Sequence, residues 1–258
     1  MSTEPDLIER VRNKIIRADE LDEFYHFLIY GRSGIGKTRL ASTLPNVLLI
    51  DVNDKGTKST RKSTNPHVYP VEYWQEINDV YWFLASGDHE FTSWALDTVT
   101  AMSSLCMKFI LGDEASRDAS KDPDMPRGPV YQKLTELMKT QITNYRNLPM
   151  TGVFTAQQQR RVMGEDDDLG GELFTTPMVT PKVSEALESA VDVIGYLTKR
   201  TVKVKRKGEE KARTVVRNRL LVDLPEDRYL TKDREHLFGT HVDNPNLGKM
   251  LQVANGEE

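Results

Sequence analysis

Short apolar runs alternate along this chain with segments in which apolar residues recur every three or four positions. The apolar runs lie at residues 24–30, 46–52, 91–97, 150–156 and 191–199. Runs of this length with little polar alternation are typical of strands buried on both faces of a parallel sheet. Their alternation with helical segments predicts an α/β fold in which a mainly parallel sheet is flanked by helices.

Between the apolar runs, apolar residues at i, i+3 and i+4 spacing predict helices. These segments are 5–18, 71–86, 101–111, 131–148 and 184–190. The first of them precedes the core, and we expect its apolar face to pack on the domain or on a neighbouring subunit. The aromatic residues of the second are expected to belong to the core, and base stacking is the alternative.

Polar segments complete the pattern. Residues 201–223 alternate between apolar and charged positions around a polar turn, which predicts a C-terminal β-hairpin. The stretch 199–219 contains ten Lys and Arg residues against two acids. A solvated edge hairpin and a contact to phosphate groups both fit this composition. By contrast, 112–129 is expected to be a mobile surface loop, and the acidic, glycine-rich segment 162–180 is expected to be poorly ordered.

Composition restricts the classes of function. At 258 residues the chain suits one α/β core, here 24–235, with an N-terminal extension at 1–23 and a tail at 236–258. The net charge of −4 gives no overall attraction to nucleic acid, so a DNA contact requires a local basic patch. The single cysteine, Cys106, excludes a disulfide scaffold and is expected to be buried filler. Because neither a leader nor a membrane-length apolar stretch is recognisable, we expect a cytoplasmic protein without a membrane partner.

The strongest chemical signal follows the first apolar run. Residues 31–38 match the pattern G-x-x-x-x-G-K-[ST], the P-loop that holds nucleotide phosphates. Its glycines let several backbone N–H groups converge on phosphate oxygens, and the helix that follows directs its positive end at the same anion. We therefore predict ATP as the ligand, together with Mg²⁺. The predicted nucleotide-binding residues are Gly31, Arg32, Ser33, Gly34, Ile35, Gly36, Lys37, Thr38 and Arg39.

Three side chains are predicted to carry the chemistry. Lys37 is expected to reach the β- and γ-phosphates, and the Thr38 hydroxyl is expected to ligate Mg²⁺. Asp97 ends the apolar run 91–97, downstream of the P-loop. A carboxylate at the carboxyl end of such a strand is expected to orient a Mg²⁺-bound water. The predicted metal ligands are therefore Thr38 and Asp97, and Lys37 and Asp97 are predicted to be catalytic.

The residues around these motifs discriminate among P-loop classes. AAA+ motors carry Glu directly after the Asp97 position, where this chain has Thr98. Deviant-Walker partitioning ATPases need Lys at position 32, where this chain has Arg32. Small-molecule kinases carry an arginine-rich lid, whereas the segment 112–129 offers only two arginines. These differences favour a RecA-like core.

Within that group, the chain resembles the short phage-encoded RecA-like ATPases associated with single-strand annealing recombination. The resemblance covers about 24–223, through the motifs at 27–38, 40–45, 49–51, 56–59, 95–98 and 153–157 and the terminal hairpin. It implies an ATPase that binds single-stranded DNA and promotes annealing as a homo-oligomer, either a ring or a filament. A single-stranded-DNA-binding protein is a further implied partner, and a phage origin implies the host cytoplasm.

The resemblance also implies roles for individual residues. Gln157 would be a catalytic residue that senses the γ-phosphate and connects hydrolysis to a DNA-binding loop at 158–180. RecA-like enzymes place a catalytic Glu at the position of Asn53, and an amide cannot take a proton, so Asp54 is the candidate base. The implied cations that reach a neighbour's nucleotide are Arg213, Arg217 and Arg219. The implied DNA contacts, ahead of an acidic run or on the basic hairpin, are Gln158, Arg160, Arg161, Lys203 and Lys205.

The sequence is compatible with three functions. The leading hypothesis is an ATP-dependent oligomer that binds single-stranded DNA and promotes annealing or homologous recombination. The first alternative is a nucleotide-gated assembly or adaptor protein of phage replication that binds protein instead of DNA, which suits a slow hydrolase. The second alternative is a small-molecule phosphotransferase, which would need an acceptor metabolite.

Overall fold

The computed structural model describes residues 7–17, 24–52, 56–117, 127–163, 172–204, 213–225 and 228–257. Among those residues, every helix is too short or too polar to cross a bilayer. The strands in chain order are β1 (His26–Gly31), β2 (Val47–Val52), β3 (His67–Val71), β4 (Ser93–Asp97), β5 (Thr151–Met163), β6 (Glu172–Pro177), β7 (Val193–Val204), β8 (Arg213–Leu221), β9 (Lys232–Asp233) and β10 (His241–Asp243). The helices are α1 (Leu7–Arg12), α2 (Lys37–Ala41), α3 (Trp74–Ala85), α4 (Val99–Arg117), α5 (Arg127–Arg146), α6 (Pro181–Ala190) and α7 (Leu247–Ala254), with a 3₁₀ turn at Gly56–Ser59.

A mainly parallel sheet forms the centre of the protein. The strands β7, β1, β5, β4, β2 and β3 are neighbours in that order, and their pairings are parallel. Next to β7, the strand β8 is antiparallel and is followed by β10, while β6 pairs antiparallel with β5. The predicted α/β class and the C-terminal hairpin of β7 and β8 are confirmed. The parallel order brings the carboxyl ends of β1, β4 and β5 to one edge, where ligands bind in open α/β sheets.

Helices cover both faces of the sheet. One apolar cluster joins the strands to α3, α4, α5 and α6, and a second joins them to α2 and α7. In the first cluster Trp94 is fully buried and packs edge-on against Tyr145 and Phe154. The neighbouring strand carries Gly152 at this point, because a Cβ there would lie 2.1 Å from the Trp94 ring. Burial of the sheet on both faces explains why its strands are nearly continuous apolar runs.

Several predicted boundaries are wrong. The strand β3 was not predicted, and its residues are mostly exposed because it is the last strand of the sheet. Residues 112–129 were predicted to be a loop, yet α4 continues to Arg117 through a kink at Gly112 (φ 75°) and α5 begins at Arg127. The intervening residues lie outside the described ranges. The extensions contain Gly112, Gly128 and Pro129, which are poor helix formers, so the residue types there indicate a loop although the helices continue.

The expectation of poor order over 162–180 is wrong for residues 162–163 and 172–180, whereas residues 164–171 lie outside the described ranges. The strand β5 continues to Met163, and β6 pairs with it from Gln158 to Met163, which makes an antiparallel hairpin. Thr175 anchors β6, since its N–H donates to the Arg228 carbonyl at 2.8 Å and its carbonyl accepts from the Tyr30 hydroxyl at 3.0 Å. These partners are distant in sequence, so a local pattern cannot reveal them. The acidic run 165–168 lies outside the described residues.

The N-terminal helix is confirmed only over Leu7–Arg12. The apolar side chains of Ile8, Val11, Ile15 and Ile16 are more than half exposed, between 52% and 73%. In the described residues this segment therefore does not bury its apolar face on the domain. Packing on a neighbouring subunit stays a prediction.

Candidate functional site

The P-loop connects β1 to α2 in a conformation that depends on glycine. Gly34 and Gly36 have φ values of 70° and 111°, which L side chains rarely adopt. Gly31 is required for a different reason, because a Cβ there would lie 2.6 Å from the Leu197 carbonyl oxygen of β7. The first N–H groups of a helix have no partner inside it, so those at the start of α2 can bind an anion held by the loop.

The Lys37 ammonium lies where β1 ends, beside Gln157 of β5. Its Nζ donates to the carbonyl oxygens of Gly31 at 3.2 Å and Arg32 at 3.1 Å, and to Oε1 of Gln157 at 3.3 Å. The Lys37 side chain is buried and lines the cleft in front of the loop. A buried cation held beside a set of backbone N–H groups suits the phosphate-binding role predicted for it.

The Asp97 carboxylate is fully buried and is held by two hydroxyl groups. Thr38 donates through Oγ1 to Oδ2 of Asp97 at 2.5 Å, and Thr155 donates to the other carboxylate oxygen. Both threonines and Asp97 come from adjacent elements at the carboxyl edge of the sheet. Hydroxyl and carboxylate oxygens are ligands that Mg²⁺ prefers, so the predicted pair Thr38 and Asp97 fits this ion. Within the described ranges no group of three or more His, Cys, Asp or Glu side chains could hold a metal, so Mg²⁺ there would also need phosphate oxygens and water.

The backbone that follows β2 lies close to the side chains of Thr38 and Asp97. Asp51 is buried opposite Asp97 in the register of β2 and β4. Gly56 follows, and a Cβ there would lie 2.8 Å from Oγ1 of Thr38 and 3.7 Å from Oδ2 of Asp97. Glycine thus lets the 3₁₀ turn lie against the threonine–aspartate pair. Asn53 and the predicted base Asp54 lie outside the described residues, so the role of Asp54 stays a prediction.

Gln157 lies at the site, as its predicted position requires. It is opposite Gly31 in the register of β1 and β5, and its Oε1 accepts the bond from Lys37. Its backbone N–H donates to Oγ1 of Thr100 at 3.0 Å, which fixes the strand beside the start of α4. Gln157 is thus connected to the P-loop on one side and continues directly into the β5–β6 hairpin on the other.

Two residues that sequence reasoning missed complete the cleft. The cleft has a volume of about 500 Å³. Besides the P-loop residues 33–39, it is lined by Gly56, Ser59, Gln157, Lys199 and Asn218. Lys199 and Asn218 are directly opposite each other on β7 and β8. The basic stretch 199–219 was noticed in the sequence, but its residues can be assigned to a face only when the neighbour of β1 is known to be β7.

Two of the arginines proposed to act on a neighbour's nucleotide, Arg217 and Arg219, point away from this cleft. Arg217 and Arg219 flank Asn218 on β8, and alternate residues of a strand lie on opposite faces. Arg219 forms a two-bond pair with Asp243, at 2.7 Å through Nε and 2.9 Å through Nη2. This hydrogen bond lowers the pKa of Asp243 below its usual value. Arg217 is exposed, and Arg213 is described only as part of the backbone of β8.

The predicted DNA contacts divide into engaged and exposed groups. Gln158 accepts from the Tyr196 hydroxyl at 2.9 Å, and Arg161 donates to the Val179 carbonyl at 3.1 Å. Arg160 and Lys203 are exposed cations on the β5–β6 and β7–β8 hairpins. Lys205 lies outside the described residues. The predicted loop 158–180 is therefore in large part a hairpin within the described residues, and Gln158 and Arg161 are engaged on opposite faces of β5.

A tyrosine cluster connects that hairpin to the sheet. Tyr196 stacks on Tyr229 with ring centroids 4.5 Å apart and contacts the Tyr30 ring at 5.2 Å. Burial raises the pKa of Tyr30 far above its usual value. Cys106 is buried as expected, and burial raises the pKa of its thiol to about 12, so it is not a reactive thiol.

The chain is similar to a known protein family and to a solved structure. The profile of a protein family described as an AAA domain matches residues 23–235. The crystal structure of a KaiC-like protein from the hyperthermophilic archaeon Pyrococcus horikoshii matches at 10% sequence identity, covering 81% of this chain and 82% of that chain with a TM-score of 0.40. No curated protein sequence matches the chain. Because the AAA domain profile matches residues 23–235, Thr98 in place of Glu does not exclude an AAA domain.

Proposed function

The chain belongs to the AAA domain family and is a P-loop nucleotide-binding protein, and from this premise we propose that it is a Mg²⁺-dependent ATPase. We further propose that its nucleotide state controls binding of single-stranded DNA by an oligomer that promotes annealing. The observation that carries the proposal is the contact between Lys37 and Gln157. It connects the phosphate loop to the strand that becomes the β5–β6 hairpin.

Each residue of the site has a defined task in this proposal. ATP supplies the phosphoanhydride bond whose cleavage drives the change of state. The P-loop N–H groups and the Lys37 ammonium bind the phosphate oxygens, and Thr38 and Asp97 would hold Mg²⁺. Thr155 keeps the Asp97 carboxylate oriented toward Thr38. Gln157 exchanges its bond with Lys37 for contacts to the terminal phosphate, which changes the start of the hairpin.

The DNA part of the proposal is supported by charge and by resemblance. Arg160 lies on the hairpin that begins at Gln157, and exposed basic residues follow on β7 and β8. The net charge of −4 limits attraction to these local patches. Annealing, recombination and assembly into an oligomer rest on the resemblance to the phage-encoded RecA-like ATPases.

One assay tests the proposal directly. ATP turnover is measured with and without single-stranded DNA at low salt, using Lys37→Ala as the inactive reference. We expect turnover that DNA stimulates and that a rise in salt weakens steeply, because counterions are released when phosphates are bound. Turnover that does not change when DNA is added would refute the proposed binding of single-stranded DNA. Absence of turnover would refute the proposed ATPase activity.

A second candidate is a nucleotide-gated adaptor that binds protein and not DNA. Asn53 favours it, because this position lacks a group that can take a proton from water. A slow hydrolase persists in its ATP state and acts as a switch. An ATP-dependent change in mass by light scattering that is unaffected by DNA would support this candidate over the first.

A further inference from the structure

Residues of the β7–β8 hairpin form one wall of the phosphate cleft. Lys199 and Asn218 are a cross-strand pair, and both line the cleft in front of the P-loop. The Asn218 amide lies so close to the loop that its Nδ2 would be 3.6 Å from a Cβ on Gly36. The close approach of β7 is also seen at Gly31, where its Leu197 carbonyl oxygen leaves no room for a side chain. The hairpin thus contacts the loop at two successive points.

This wall lies on the opposite side of the cleft from Gln157 and the predicted metal ligand Asp97. The strands β5 and β7 flank β1 on its two sides, so Gln157 approaches from one side and Lys199 from the other. Asp97 lies one strand beyond Gln157. A phosphate chain in the loop would therefore meet Mg²⁺ and Gln157 on one flank. Its other flank would meet Lys199 and Asn218.

The two residues are differently held. The backbone of Asn218 is fixed, since its carbonyl accepts from the Asn244 N–H at 2.8 Å. The Lys199 side chain is exposed, and no residue in the described ranges forms an ion pair or hydrogen bond with its ammonium group. Arg219, the nearby cation on the other face of β8, is instead bound to Asp243. Lys199 is therefore a cation at the cleft that is not engaged by the described residues.

We propose that Lys199, supported by Asn218, binds the phosphate chain of the nucleotide from the flank opposite Asp97. The inference rests on the proposed function, in which the P-loop holds a nucleoside triphosphate. An ammonium bound to phosphate oxygens forms a charge-assisted hydrogen bond. Because Lys199 belongs to β7, nucleotide binding restrains the β7–β8 hairpin through this residue. The basic hairpin therefore responds to the nucleotide through a second connection, separate from that of Gln157.

The chain offers a matched control. Lys203 lies four residues further along β7, so it is on the same face, has the same charge and is also exposed. It does not line the cleft. Lys199→Met and Lys203→Met change the net charge equally and remove side chains of the same kind. A difference in nucleotide affinity between the two variants is therefore due to the position of the lysine and not to its charge.

The test measures binding of a fluorescent, non-hydrolysable ATP analogue with Mg²⁺. We expect Lys199→Met to bind about tenfold more weakly than the wild type, as loss of one charge-assisted hydrogen bond requires. The titration contains no DNA, so the DNA contact predicted for Lys203 does not enter it, and Lys203→Met should bind the analogue like the wild type. Hydrogen exchange gives a second readout: the analogue should slow exchange of the β7 and β8 amides in the wild type and much less in Lys199→Met.

The outcomes separate this inference from the proposed function. If the wild type binds the analogue and Lys37→Ala does not, the proposed nucleotide site stands. Equal affinities of Lys199→Met and Lys203→Met would then overturn the inference alone. Exchange in β7 and β8 that is unaffected by the analogue in the wild type would also overturn it. A wild type that does not bind the analogue would refute both.

Discussion

Gly56→Ala should weaken nucleotide binding through a steric change of one methyl group. The new Cβ would lie 2.8 Å from Oγ1 of Thr38, against an ordinary contact distance of 3.4 Å or more. Overpacking of this kind costs about 1–3 kcal/mol. The new methyl group displaces Oγ1 of Thr38, which is hydrogen-bonded to Asp97 at 2.5 Å. The displaced atom is therefore one of the predicted metal ligands. The φ of Gly56 is compatible with an L side chain, so the effect is due to the contact.

The assay is titration with a fluorescent ATP analogue, in Mg²⁺ and again in a chelator. With Mg²⁺ present we expect an affinity loss of about fivefold, which corresponds to about 1 kcal/mol of this cost being paid only in the nucleotide-bound state. In the chelator the two proteins should differ less, because Thr38 then has no metal to hold. Gly128→Ala is the control, since a Cβ at that position in α5 meets no atom within 4 Å. Wild-type affinity of Gly56→Ala, or an equal loss in Gly128→Ala, would refute the geometry of the threonine–aspartate pair.

Three further predictions test other contacts. Thr155→Val should lower the free energy of unfolding by about 1.5–3 kcal/mol in urea titrations, because it removes a hydrogen bond to a buried carboxylate; a loss no larger than that of Thr151→Val would contradict this. Burial lowers the pKa of His26 to about 4, with Asp192 opposing and Arg146 reinforcing the shift. The unfolded chain therefore binds the proton first, so stability should fall as pH drops from about 6.5 to about 4, by roughly 3 kcal/mol, and His26→Gln should abolish this slope. Tyr196→Phe removes the bond to Gln158 and should reduce stimulation of turnover by DNA while leaving the affinity for ATP unchanged; unchanged stimulation would show that the tyrosine cluster does not position the hairpin.

The parts of the site that follow one another along the chain were predictable from the sequence. The P-loop glycines and Lys37 form a continuous motif whose backbone geometry is encoded by the residue types. Asp97 was found because an apolar strand places its last residue at the carboxyl edge. The position of Gln157 came from the family resemblance and not from a local pattern, and Gln157 lies at the site because β5 is the neighbour of β1.

The parts that depend on strand order were not predictable. Lys199 and Asn218 reach the cleft only because β7 adds on the other side of β1 and β8 returns along it. In the sequence Gly56 is only a glycine in a polar loop. The need for glycine there becomes clear from the structure, in which Thr38 lies against it. The strand β6 depends on Arg228 and Tyr30, which are remote in sequence, whereas the local polar composition of its segment predicts disorder. Local patterns describe elements, whereas pairing between remote elements decides which side chains meet.

The central claim is that a triphosphate with Mg²⁺ is bound by the P-loop between β1 and α2. Calorimetric titration of a non-hydrolysable ATP analogue into the wild type and Lys37→Ala tests it most directly. We predict one site in the wild type that weakens when Mg²⁺ is removed, and loss of measurable binding in Lys37→Ala. Equal binding by the two proteins, or binding in the wild type that does not depend on Mg²⁺, would contradict the account.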